Sequence, residues 1–225
     1  MPARAQARQP NRGEVLAFGV QTRDERAVLD AAFDGRYPLH RLEVVLTEDT
    51  VPLAAGHEVV STSVNADLSA PVLRQLAEAG TKAVCQRSTG FNNVDLDEAE
   101  RLGLTVSRVS HYSPHSVAEF AWTLAMGLNR SLPRAILRTR EFDFRLDGLM
   151  GRDVHGKTIG VVGTGKIGEA FARIAAGFGV TLLGWDLKPN PACEAIGMKY
   201  VELPELFAAA DIVSLHVPQI GRAHV

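Results

Sequence analysis

Thr158-Ile-Gly-Val-Val162 reads as a strand that runs directly into Gly163-Thr-Gly-Lys-Ile-Gly168. That glycine-rich turn opens a helix whose Ala170, Phe171, Ile174 and Ala175 recur on one face. A second strand, Thr181-Leu-Leu-Gly-Trp185, follows and ends at Asp186. Glycines at this spacing say little alone. Set between strand and helix, with an acid about 20 residues on, they form the dinucleotide-binding fingerprint. Each position has a physical reason. Gly163 permits the tight turn, Gly165 lets a pyrophosphate approach the backbone, and Gly168 lets helix and strand pack closely. The N–H groups around Lys166 and Ile167 meet phosphate at the positive end of the helix. Asp186 accepts the adenosine ribose hydroxyls and repels a 2′-phosphate, so NAD is expected over NADP.

Downstream, Asp211-Ile-Val-Ser-Leu-His-Val217 reads as the next strand, closed by Pro218. Strand ends in such a sheet face the cofactor crevice, so Val217 and Pro218 are expected to border it. His216 falls within that strand and reads as structural. Upstream, short apolar runs alternate with helical patterns, which predicts a parallel sheet covered on both faces. The expected strands are Val15–Val20, Leu42–Leu46, His57–Val64, Lys82–Arg87 and Leu104–Val109. Thr22 and Glu25 have capping-box spacing ahead of a Val28, Leu29, Ala32, Phe33 stripe. Ser69 and Pro71 start a further helix that ends at Gly80, and a short one spans Asp95–Leu102. From Ser113 to about Arg130 the pattern is helical, with Val117, Phe120, Ala121, Leu124, Ala125 and Leu128 in register. Ala118, Trp122 and Met126 on the other side are apolar too, so this helix is expected to be buried on both sides, bridging two domains or packing against another subunit. Another helix covers about Leu132–Arg140.

Composition excludes several classes. With 24 Lys+Arg against 26 Asp+Glu the formal charge is −2, against a large nucleic-acid footprint. No apolar run approaches the roughly 20 residues of a membrane span. Cys85 and Cys193 make neither a disulfide framework nor a metal-ligand spacing, so no metal is expected. Both are expected to be reduced, in a cytoplasmic protein. Met1 to Gly13, with Arg4, Arg8 and Arg12 and no acid, reads as a disordered leader. Ile220–Val225 departs from the strand pattern and reads as a non-native tail on a chain whose fold is cut at about Gln219.

Three further stretches complete a resemblance. Arg87-Ser-Thr-Gly-Phe-Asn-Asn-Val-Asp-Leu-Asp97, Tyr112-Ser-Pro-His-Ser-Val-Ala-Glu119 and Asp211–Pro218, with Gly156–Gly168, resemble the D-isomer-specific 2-hydroxyacid dehydrogenases, and within them the D-lactate dehydrogenases. The similarity runs from about Val15 to Gln219. It implies a flavodoxin-like substrate domain, here residues 14–112 and incomplete, followed by the first half of a Rossmann NAD-binding domain, residues 113–219. It implies a cleft between two domains, NAD as cofactor, a small 2-oxo or 2-hydroxy acid as substrate, and a homodimer.

The resemblance also assigns residues. Backbone N–H groups at Thr89 and Gly90 would hold the substrate carboxylate, and glycine suits such an approach to an anion. Tyr112 matches a tyrosine near the substrate, although a packed hinge aromatic reads as well. Asn92 and Asn93 read as holding the loop through their own backbone. His111 and His115 do not match the family's proton donor. The family's catalytic Arg, Glu and His match no residue of this chain, so it is expected to be inactive alone. Its first Rossmann strand, Thr158–Val162, is expected to keep one unpaired edge. Two alternatives stand beside a D-lactate enzyme: a dehydrogenase of another D-2-hydroxy acid, and an NAD-sensing binding protein without catalysis.

Overall fold

A computed structural model describes residues 13–217; the leader up to residue 12, Pro218 and the 220–225 tail lie outside the described residues. The chain divides into two compact units, Met1–Tyr112 and Ser113–Val225.

In the first unit, β1 (Val15–Ala17), α1 (Arg23–Phe33), β2 (Leu39–Arg41), β3 (Val59–Thr62), α2 (Ala70–Glu78), β4 (Ala83–Gln86), α3 (Leu96–Arg101) and β5 (Thr105–Arg108) follow in order. The strands are parallel, in the order β2-β1-β3-β4-β5. That is the flavodoxin-like 2-1-3-4-5 order. Its core gathers Leu16, Phe18, Val60 and Val84 from the strands with Val72, Leu73 and Leu76 from α2. Of the expected caps, Thr22 makes its bond and Ser69, at the start of α2, makes no side-chain cap bond; Asp95 caps α3 in addition. Thr22 Oγ1 accepts the Glu25 N–H at 3.1 Å, and Asp95 Oδ1 accepts the Glu98 N–H at 3.0 Å. Glu98 itself is buried, bonded by Arg74 and Arg101.

Two expectations fail here. Leu42–Leu46 is not a strand; the second strand is Leu39–Arg41. The carbonyls of Leu42 and Val44 instead accept the N–H groups of Val20 and Gly19, so this segment wraps the loop that follows β1. The same bonds end β1 at Ala17, although burial continues to Val20. The α1 stripe is the second failure: no residue of that helix is buried, and Val28 is 68% exposed.

The second unit contains α4 (Pro114–Asn129), α5 (Leu132–Arg140), β6 (Thr158–Val162), α6 (Lys166–Ala176), β7 (Thr181–Trp185), α7 (Pro191–Glu194), β8 (Lys199–Tyr200), α8 (Leu203–Ala209) and β9 (Ile212–Leu215). These strands are also parallel, in the order β8-β7-β6-β9, the 3-2-1-4 part of a Rossmann sheet. The β6 strand is therefore paired on both sides, by β7 and β9. Its expected open edge is corrected: the fourth strand is within the chain, and the outer edge belongs to β9. His216 lies just beyond β9 rather than within it.

Helix α4 buries Ala118 and Trp122 against α6, where the Trp122 and Phe171 rings meet edge to face at 5.6 Å. Its more regular stripe faces outward: Phe120 is 64% and Leu128 78% exposed. Within this unit only one face of α4 meets apolar partners.

Candidate functional site

The glycine loop leaves the C-terminal end of β6. Gly163 has φ +88°, and a Cβ there would lie 2.5 Å from the His216 carbonyl oxygen. A Cβ at Gly168 would lie 2.0 Å from the Gly163 carbonyl oxygen. Packing inside the protein thus demands glycine at both. Gly165 is different. Its φ is −67°, which any residue adopts, and a Cβ there would meet no atom within 4 Å. The absent side chain leaves open space beside the start of α6. That helix begins at Lys166, and no side chain caps its first N–H groups. Lys166 is exposed and Ile167 half-buried. Free N–H groups at the positive end of a helix, beside a backbone with no side chain in the way, fit a pyrophosphate.

Asp186 stands at the end of β7, half-buried. Its Oδ2 accepts the Thr164 N–H at 2.6 Å and lies 3.2 Å from Thr164 Oγ1. Its Oδ1 accepts the Lys188 N–H at 3.3 Å. The Thr164 N–H, above all, holds this carboxyl below its ordinary range, against burial, which raises it. The acid is thus an anion tied to the glycine loop. Trp185, Asp186, Pro189, Tyr200, Val201 and Glu202 line a groove of about 280 Å³ beside it. Val217 is exposed, its Cγ1 2.9 Å from where a Gly163 Cβ would sit; Pro218 lies outside the described residues. His216 packs its ring on Phe171 at 5.0 Å between centroids, and burial lowers its pKa.

In the first unit, Arg87, Ser88, Thr89, Gly90, Val109 and Tyr112 line a cleft of about 320 Å³. The loop's carbonyls are all engaged. Ser88 O accepts the Val109 N–H at 3.0 Å, Thr89 O accepts Arg108 Nη1 at 2.8 Å, and Gly90 O accepts Ser88 Oγ at 2.9 Å. In a trans peptide the N–H points opposite to the carbonyl. Fixing those carbonyls therefore fixes the N–H directions of Thr89, Gly90 and Phe91, which find no acceptor among the described residues. Such a row of N–H groups is an anion-binding arrangement. Tyr112 is 49% exposed at the cleft. Asn93 does hold the loop, but by long reach: it accepts Gln86 Nε2 at 2.7 Å and donates to Ala66 O at 2.8 Å. Asn92 and His111 are exposed.

Sequence reasoning passed over the residues that set these geometries. Arg87 donates to Phe18 O, Ser61 Oγ and Glu25 Oε1 at 2.8, 3.0 and 2.9 Å. Arg108 stacks on the Phe91 ring at 4.8 Å while it holds Thr89 O. Thr164 occupies an unspecified position of the fingerprint, yet is 2% exposed and central to the Asp186 contacts. An arginine at each strand end beside a glycine loop was the available signal for the first two.

Comparison with known proteins agrees with this geometry. Residues 122–224 match the family "D-isomer specific 2-hydroxyacid dehydrogenase, NAD binding domain". The D-lactate dehydrogenase of Escherichia coli K12 is 49% identical over 182 residues, which are 81% of this chain and 55% of that protein. The apo structure of the E. coli D-lactate dehydrogenase superposes with a TM-score of 0.84 at 44% identity, covering 92% of this chain and 66% of that one. The Aquifex aeolicus D-lactate dehydrogenase complexed with NAD and lactic acid gives a TM-score of 0.76 at 28% identity, covering 92% and 61%. The chain thus spans about half to two thirds of the length of these relatives.

Proposed function

Since this chain belongs to the D-isomer specific 2-hydroxyacid dehydrogenases, we propose that it carries the nucleotide-holding and carboxylate-holding parts of an NAD-dependent D-lactate dehydrogenase, one that reduces pyruvate or a similar small 2-oxo acid. The observation that carries this reading is the loop at Gly165. It is open where its neighbours Gly163 and Gly168 are packed tight, and it lies against an uncapped helix start. Nothing inside the protein needs glycine there, whereas a phosphate approaching the backbone does.

In this reading residues 14–112 are substrate domain and 113–219 nucleotide domain. Gly163, Gly165, Lys166, Ile167 and Gly168 hold the pyrophosphate, Asp186 the ribose hydroxyls, and Val217 borders the nucleotide. The N–H groups of Thr89 and Gly90 hold the substrate carboxylate, beside Tyr112. Bound NADH supplies the hydride. Negative charge then builds on the substrate's carbonyl oxygen and needs a proton and a fixed cation. No residue here is assigned to either task, so Met1–Val225 is expected to bind and not to turn over. Both cysteines are free, consistent with a reducing, cytoplasmic compartment. Among the described residues no helix is long and apolar enough to cross a membrane.

A homodimer of the full-length protein is proposed, to be tested on that protein. Phe120, Leu124 and Leu128 of α4 and Leu132, Ile136 and Leu137 of α5 are all at least 45% exposed, an apolar surface of the kind that homodimers bury. Light scattering of a monomer at micromolar concentration refutes the dimer. Titration of the chain with NADH, followed by Trp185 fluorescence, tests the nucleotide site. Saturable binding that Gly165→Val abolishes is expected; binding indifferent to that change refutes the reading.

A further inference from the structure

A part-buried chain of hydrogen bonds leads from the N-cap of α7 to Asp186. The Asn190 N–H donates to Tyr200 Oη at 2.8 Å, and Tyr200 Oη donates to Thr164 Oγ1 at 2.7 Å. Thr164 Oγ1 donates to Asp186 Oδ2 at 3.2 Å, beside the Thr164 N–H on the same oxygen. The direction is fixed at both ends. A backbone N–H can only donate, and an ionised carboxylate can only accept. Each hydroxyl between them has one hydrogen, and along Tyr200–Thr164–Asp186 both point toward Asp186, with Cys193 the other side chain in hydrogen-bond contact with Tyr200. Asn190 closes the arrangement, its Nδ2 donating to Thr164 O at 2.9 Å and to Glu169 Oε2 at 3.1 Å. Thr164 itself is only 2% exposed.

We propose that Tyr200 is a positioning residue for nucleotide choice, acting through Thr164 to hold Asp186 in the orientation that accepts NADH and rejects NADPH. The inference rests on the nucleotide reading above. Two loop donors occupy Oδ2, and the long Lys188 contact leaves Oδ1 available to ribose hydroxyls. A carboxylate fixed in this way presents its charge where a 2′-phosphate would come. Without the Tyr200 hydroxyl, Thr164 loses the donor that orients its hydrogen. Asp186 keeps the Thr164 N–H at 2.6 Å but loses the ordered second donor on Oδ2, so its carboxylate is held less firmly and its rejection of the phosphate weakens. The exposed Lys188 next to it would remain as an attraction for that phosphate.

The test measures dissociation constants of NADH and NADPH with the full 225-residue chain, wild type against Tyr200→Phe, Thr164→Val and the double variant. Each single change is expected to lower the NADH-to-NADPH affinity ratio about three- to tenfold, the worth of one hydrogen bond. The double variant should lose no more than the larger single loss, because both changes break one chain. Thr164→Ser keeps the hydroxyl and should keep the ratio. Equal weakening of both nucleotides by Tyr200→Phe, with the ratio intact, makes the tyrosine merely structural and overturns the proposal. Additive losses overturn it as well. Should Tyr200→Phe not fold, the Thr164→Val and Thr164→Ser pair decides by the same ratio. A wild-type chain that binds neither nucleotide refutes the nucleotide reading itself, and the relay's role with it. A wild type that prefers NADH while the variants keep that preference refutes the relay alone.

Discussion

Gly165→Ala separates a glycine that serves a ligand from glycines that serve the fold. The new methyl would meet no protein atom within 4 Å, and the backbone there has φ −67° and ψ −166°. Alanine tolerates that conformation, and the stiffer unfolded chain contributes about 0.4–1 kcal/mol in its favour. Alanine is a poorer N-cap than glycine by a similar amount. The terms offset, so the melting temperature should stay within a few degrees. Nucleotide affinity should not survive so well. A methyl of about 2 Å radius would stand where a phosphate oxygen must come within about 3 Å of a backbone N–H. Losing even one such charge-assisted bond, about 1.5–3 kcal/mol, weakens NADH binding by a factor of ten or more. Gly168→Ala provides the contrast. Its methyl would sit 2.0 Å from the Gly163 carbonyl oxygen, a backbone atom that cannot step aside. About 1–3 kcal/mol of overpacking should then lower the melting transition by several degrees. Differential scanning fluorimetry and NADH titration on both variants check the pair. A Gly165→Ala chain that binds NADH as wild type does, or that melts as early as Gly168→Ala, refutes the reasoning.

Asp186→Ala should narrow the preference for NADH over NADPH by roughly tenfold or more, since one fixed negative charge is removed; an unchanged affinity ratio contradicts the role given to this acid. Arg108→Ala should leave the melting temperature nearly unchanged, the arginine being exposed, yet free the Thr89 carbonyl. Oxamate-induced amide shifts at Thr89 and Gly90 in ¹⁵N spectra should then shrink, and full retention argues against a fixed N–H row. Glu98 is held down at about 2, first by Arg101, from an ordinary 4.5. A depressed folded-state value means its stabilisation is complete above pH 4.5 and fades as pH falls toward 2. Glu98→Gln should therefore lower the melting temperature at pH 7, with the gap to wild type closing between pH 4.5 and 2; a gap constant with pH removes the ion cluster from the explanation.

The limits of β6 and β7 could be read from the chain because both are unbroken apolar runs between polar or glycine stops, the pattern of strands buried on both faces. The β2 strand could not. Leu39-His40-Arg41 is an edge strand with one apolar residue, while Leu42–Leu46 next to it has the apolar density a strand would need and spends it wrapping β1. Helix α4 shows a related limit: periodicity reports that a face is apolar, not which neighbour covers it. In the candidate site, Gly163, Gly165, Gly168 and Asp186 could be named because a strand–turn–helix–strand pattern marks their positions, although Gly163 meets His216 and Asp186 meets Thr164 far along the chain. Thr164 and Tyr200 could not, since they meet across 36 positions, and nothing in either one's surroundings names the other.

Arg87 has a kinetic consequence. Its guanidinium joins positions 69, 62 and 26 residues away in the chain, at Phe18, Glu25 and Ser61. Closing contacts of such separation is slow, because chain entropy must be lost before any one of them is rewarded. The Ser88–Gly90 loop leaves directly from this arginine, so it cannot take its shape until β1, α1, β3 and β4 have all assembled. The geometry of the loop amides should therefore be among the last features to appear during refolding, after the long-range bonds of Arg87 have closed.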